Sequence, residues 1–123
     1  MSSRQPNYLR TYRRRSSLEQ EDIAFLLGYK DRGTSVSRYE QGHRLPSLRT
    51  ALALATILHV STAVLFGGLQ KQVQRNISER IVELHSELEH THGQGRMPAL
   101  VSRRLRWLDD HHGPAQINEH PSR

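Results

Sequence analysis

Gln20-Glu-Asp-Ile-Ala-Phe-Leu-Leu-Gly28, and after it Ser35-Val-Ser-Arg-Tyr-Glu-Gln-Gly42, are the stretches on which the fold of this chain turns. Each reads as a short helix stopped by glycine. In the first, Ile23, Leu26 and Leu27 fall at i, i+3 and i+4 and predict one buried stripe. Ala24 is small enough to let the next helix cross closely, and Gly28 stands where a left-handed C-terminal residue is wanted. The second helix is predicted over 34–41, with Val36 and Tyr39 as its inward pair. Thr34, Ser35, Ser37 and Arg38 are left outside. The intervening Tyr29-Lys-Asp-Arg-Gly33 is the turn.

Working outward, Leu9 and Tyr12 share a face of a short helix ending near Arg15, before Ser16-Ser17. After the loop His43-Arg-Leu-Pro46, Ser47 is an N-cap for a helix whose Leu48, Ala51, Leu52, Ala55 and Leu58 form an apolar face. Ser61 caps a last short helix ending at Leu65-Phe66, and Gly67-Gly68 closes the domain. The expected core is Leu9, Ile23, Leu27, Val36, Tyr39, Leu52 and Leu58. Residues 70–89 form a long amphipathic helix with one narrow stripe, Val73, Ile77, Ile81, Leu84 and Leu88, which either folds back on its own chain or pairs with a copy of itself. His90-Thr-His-Gly-Gln-Gly95 ends it. A further helix from about 98 to 109 carries Leu100, Val101, Leu105, Trp107 and Leu108. The expected organisation is all-α, with a five-helix domain over 8–68, a helical extension over 69–110, and disorder over 1–7 and 111–123.

Bulk properties narrow the function classes. The chain has 123 residues and no cysteine, so disulfides and thiolate metal sites are excluded, which suits a reducing cytosol. No apolar run approaches the ~20 residues of a membrane span, and the start lacks the apolar core of a signal peptide, so a cytoplasmic protein is expected. The net charge of +6 is uneven. Residues 1–68 hold 10 Lys/Arg against 5 Asp/Glu, whereas 69–123 hold 8 against 7, which concentrates the basic field on the N-terminal domain. A polyanion-binding surface requires such a concentration.

A helix can read a duplex only if its buried face is anchored by a second helix and its opposite face offers side chains that hydrogen-bond base edges in the major groove. The two opening stretches meet both demands. As an ordered set, Leu9, Arg13, Leu18, Gln20, Ile23, Ala24, Leu27-Gly28, Val36-Ser37-Arg38-Tyr39-Glu40-Gln41-Gly42, Pro46-Ser47-Leu48, Leu52, Ala55 and Leu65-Phe66 resemble the phage repressor and Cro family of helix-turn-helix regulators, also called the xenobiotic-response-element family. The resemblance covers residues 9–66.

The resemblance implies a repressor-like domain that binds double-stranded DNA, with Thr34, Ser35, Ser37 and Arg38 on bases. Gln20 matches a family glutamine that bonds a phosphate and braces the recognition helix, and Arg44 matches a loop position that touches phosphate. Arg13 and Glu40 match a pair that forms a structural salt bridge. Lys30, Arg32, Arg14, Arg15 and Arg49 are added to the phosphate-facing set from charge. Two departures stand out. The interval from Gly28 to Val36 exceeds the common family spacing, so either the turn is longer or the third helix starts earlier. Glu19 replaces the usual Ser or Thr cap, which leaves Ser17, with Gln20 three residues on, as an alternative cap.

These residues lead to an expected dimeric, sequence-specific transcriptional repressor on an inverted-repeat operator, with residues 70–89 as the dimer contact. The alternative is an antitoxin-like interaction protein whose C-terminal helices hold a protein partner. No enzyme is expected, because neither a Ser-His-Asp arrangement nor a phosphate loop is present, and Lys30 and Lys71 are the only lysines. No cofactor or metal is expected either. His85, His90, His92 and His111-His112 lack the His-x₃-His spacing with a carboxylate that zinc favours. Trp107 among leucines reads as packing rather than as a stacking platform for bases.

Overall fold

The computed structural model describes residues 6–92 and 98–111, so the expectations of disorder at 1–5 and 112–123, and of a break at 93–95, lie outside the described residues. The regular structure is helical: α1 (Leu9–Arg15), α2 (Gln20–Leu27), α3 (Thr34–Glu40), α4 (Leu48–Leu58), α5 (Thr62–Leu65), α6 (Gly67–His92) and α7 (Ala99–Asp110). Two units are distinguished, one reaching Gln70 and the other beginning at Lys71. Among the described residues no helix is long and apolar enough to cross a membrane.

Local chemistry accounts for the breaks. Gly28 ends α2 in the left-handed region at φ 82°, which lets the Tyr29 N–H donate to the Ala24 carbonyl at 2.9 Å. Glu19, rather than Ser17, is the N-cap of α2, and its backbone N–H donates to the Asp22 carboxylate at 2.8 Å. A carboxylate three residues into the helix satisfies an orphan donor as well as a hydroxyl does. Ser47 and Ser61 cap α4 and α5, accepting from the N–H groups of Thr50 and Val64. Gly67-Gly68, expected to close the domain, instead begins α6. The chain turns one residue earlier, at Phe66 (φ −114°, ψ 48°). Asn7, expected in a loose arm, is tied down: its amide donates to the Tyr39 carbonyl at 2.8 Å and its oxygen accepts from the Leu9 N–H at 3.0 Å.

The core of the first unit gathers Leu9, Ile23, Ala24, Val36, Tyr39, Leu54, Leu58 and Leu65. Two expected stripes are displaced. In α2 the inward pair is Ile23 and Ala24, with Leu27 half-buried and Leu26 exposed. In α4, Leu48 and Leu52 are 75% and 53% exposed, and the inward residues are Leu54 and Leu58 flanked by Ala51 and Ala55. Positions 51, 54, 55 and 58 repeat as i, i+3, i+4 and i+7 just as well as the expected set does, because α4 carries Leu or Ala on every face.

In the second unit, Ile81, His85 and Leu88 are half-sheltered on α6, and Val101 and Leu108 of α7 are buried. His85 Nε2 lies 2.9 Å from Asp109 Oδ1 of α7, and its Nδ1 lies 3.4 Å from Glu89 Oε1. Trp107 is not packed among leucines as expected. It is half-exposed and stacks on the His111 ring at 4.0 Å, and His111 also bonds the Trp107 carbonyl.

Candidate nucleic-acid interface

Everything that could meet a ligand in the first unit depends on how α3 is held. Its start is shaped by Gly33, buried and left-handed at φ 102°, where a Cβ would come within 3.0 Å of the Gln20 backbone. Only glycine lets the first turns of α2 and α3 approach this closely. Asp31 serves as the cap. Its carboxylate accepts from the N–H groups of Gly33 and Ser35, each at 3.0 Å, while its carbonyl accepts the Thr34 hydroxyl at 3.0 Å. The Ser35 side chain, and then these backbone donors, hold the Asp31 carboxyl below the usual carboxylate range. The lengthened interval after Gly28 is thus accommodated in the turn, with Arg32 at φ 57° in the left-handed region ahead of Gly33.

Beneath α3 lies a polar clamp. Arg13 of α1 donates through Nε to Glu40 Oε2 at 2.5 Å and through Nη2 to Oε1 at 3.2 Å, and its Nη1 donates to the Leu18 carbonyl at 2.9 Å. Gln20 of α2 donates through Nε2 to the same Oε1 at 3.0 Å. Glu40 therefore ties α3 to both preceding helices. A carboxylate can only accept, so it orients the Gln20 amide nitrogen inward and leaves one N–H of that group for a second partner. Tyr39 adds a second tie: its hydroxyl is 3.0 Å from that of Tyr29, which is 3.0 Å from Thr50 Oγ1 of α4. Burial, reinforced by the Tyr29 hydrogen bond, pushes the Tyr39 hydroxyl up to about 12.

With Val36 and Tyr39 buried, the opposite side of α3 is fixed. Successive residues turn by about 100°, so positions 34, 37, 38 and 41 share one face while position 35 stands well to one side. A shallow concavity is accordingly lined by Gln20, Arg32, Gly33, Thr34, Ser37, Arg38 and Gln41. Thr34, Ser37 and Arg38 of the predicted base-reading set thus come together, and Ser35 does not, its side chain and its backbone N–H both engaging the Asp31 carboxylate. Gln41 was missed by sequence reasoning. Its signal is present, since it lies i+3 from Arg38 and i+7 from Thr34, but it falls at the last position of the expected helix. Its amide reaches Ser37 Oγ at 3.4 Å.

Of the residues assigned to phosphate, Gln20 and Arg32 line this concavity and also a wider neighbouring groove with Arg10 and Arg14. Lys30, Arg44 and Arg49 are exposed, outside both grooves. Arg15 lies over the Tyr12 ring, 5.0 Å from its centre. The arrangement is an exposed helix face with hydroxyl, amide and guanidinium groups beside a shallow concavity, bordered by cations and backed by the buried core. That is the chemistry of a surface that hydrogen-bonds an anionic polymer. Residues 7–65 match the protein-family model described as a helix-turn-helix domain. No curated protein and no solved structure matches the chain.

Proposed function

We propose that the protein, whose residues 7–65 match a helix-turn-helix domain, is a regulator of the phage repressor and Cro type: a dimeric, sequence-specific transcriptional repressor acting on an inverted-repeat operator. The observation that carries the reading is the outward face of α3, where Thr34, Ser37, Arg38 and Gln41 project opposite the buried Val36 and Tyr39. Arg38 suits a bidentate contact to guanine, a pairing worth about 1–3 kcal/mol in discrimination. Gln20, Arg32, Lys30 and Arg44 would meet phosphates and set the register. The apolar stripe of α6 supplies the contact between copies.

The test is selection of bound duplexes from a random pool. A palindromic consensus with half-sites about 10 bp apart is expected, and a pool that enriches no sequence refutes the proposal. Arg38→Ala should relax base preference, whereas Arg44→Ala should weaken all duplexes alike and flatten the salt dependence. Equal losses on selected and random DNA for both variants would contradict the division of roles.

A further inference from the structure

The stripe of α6 is split in the structure. Ile81 and Leu88 are half-sheltered, whereas Ile77 and Leu84 are 53% and 46% exposed. The spacing 77, 81, 84, 88 alternates four and three, which is a heptad seam with Ile77 and Leu84 at d and Ile81 and Leu88 at a. Its two flanks differ. On the e side, Ser78 and His85 are half-buried, and His85 is engaged by Asp109 of α7. On the g side, Arg80 and Glu87 are exposed, and neither enters an ion pair among the described residues. An apolar seam bordered on its open side by one cation and one anion, a heptad apart, has a self-complementary solution.

We propose that α6 pairs antiparallel with α6 of a second copy of this chain, with Arg80 meeting the partner's Glu87 twice over. This rests on the dimeric reading above. In an antiparallel pair the a and d residues share layers and the g residues face one another. Ile81 then packs on the partner's Leu84, and Ile77 on the partner's Leu88. This register places Arg80 beside the partner's Glu87. Sliding by a heptad one way sets Arg80 against the partner's Arg80, and the other way sets Glu87 against the partner's Glu87, so like-charge repulsion selects a single alignment. A parallel pair would offer Arg80 only the partner's His85, already held by a carboxylate. The antiparallel register also separates the two Gln70 positions, where each DNA-reading unit ends, by roughly 38 Å at about 1.5 Å per residue. A parallel pair would bring them to about 10 Å.

The experiment measures dimer dissociation of the full chain by sedimentation equilibrium, together with an interspin distance. R80E or E87R alone should weaken the dimer roughly tenfold, and the R80E/E87R combination should return to within about threefold of the parent, since the pair is reversed rather than lost. The chain has no cysteine, so a nitroxide on Gln72→Cys reports one distance per dimer. Roughly 30 Å or more is expected for antiparallel helices, against less than about 20 Å for parallel ones. A dimer that is not rescued by the combined variant, or that has a short interspin distance, overturns the antiparallel pairing and leaves the dimer standing. A parent chain that stays monomeric when bound to its selected duplex overturns both.

Discussion

Replacing Glu40 with alanine is expected to be among the most damaging single changes in the first unit. The Arg13 and Glu40 side chains are only 9% and 4% exposed, and the carboxylate accepts three hydrogen bonds, two from Arg13 and one from Gln20. Without it, the Arg13 guanidinium keeps only the Leu18 carbonyl and remains in a site that water barely reaches. Breaking one side of such a pair costs about 3–5 kcal/mol, most of it the penalty of the uncompensated charge. A small domain has roughly 5–15 kcal/mol in total, so Glu40→Ala consumes much of it. Arg13→Met should cost slightly less, because Gln20 still serves Glu40. The double variant Arg13→Met, Glu40→Leu removes both charges and fills the space with carbon, and should be more stable than Glu40→Ala. Urea unfolding followed in the tyrosine region isolates this unit, since Tyr8, Tyr12, Tyr29 and Tyr39 all lie before Gln70 and the single tryptophan, Trp107, lies beyond it. If Glu40→Ala loses less than about 1 kcal/mol, or the double variant is no more stable than Glu40→Ala, the clamp is not a buried ion pair in energetic terms.

Two further outcomes follow from local geometry. Gly33→Ala should destabilise the unit by about 1–3 kcal/mol and weaken DNA binding, because its Cβ meets the Gln20 backbone, whereas Gly28→Ala carries only the left-handed strain with open space around it; calorimetry that ranks the two in the opposite order would refute the close-approach argument. The Tyr39 hydroxyl releases its proton near 12 in the folded state, against about 10 when unfolded, so its contribution is fully present below about pH 10 and is lost as pH rises through about 12. Tyr39→Phe should cost about 1 kcal/mol at neutral pH and flatten the loss of stability above pH 10, and parallel alkaline unfolding curves for the two proteins would contradict this.

The order and type of the helices were legible because each has a period and a stop. The inward face of α3 was legible because a seven-residue helix with two large apolar side chains has only one way to bury both. The register of α4 was not. Leucine and alanine surround that helix, so periodicity permits neighbouring faces and the choice falls to packing against α2 and α5. Gly67-Gly68 misled for a related reason: glycine signals a stop only when the chain needs a left-handed residue there, and both glycines are helical. In the candidate site, the gathering of Gln20, Thr34, Ser37 and Arg38 was readable, and so was the sideways place of Ser35, about 100° from Thr34; what was not readable is the Asp31 carboxylate capping the start of α3 from within the lengthened turn. No local pattern announces that cap.

The division of labour along α3 has an evolutionary corollary. Val36, Tyr39 and Glu40 carry anchoring, whereas among the described residues Ser37, Arg38 and Gln41 make hydrogen bonds only within α3 and the residues that flank it. On the function proposed above those three positions meet the bases, so mutational drift there would change which operators are preferred without eroding thermal tolerance. A lineage built on this scaffold can therefore diversify its targets quickly, and engineered libraries randomised there should return mostly folded clones.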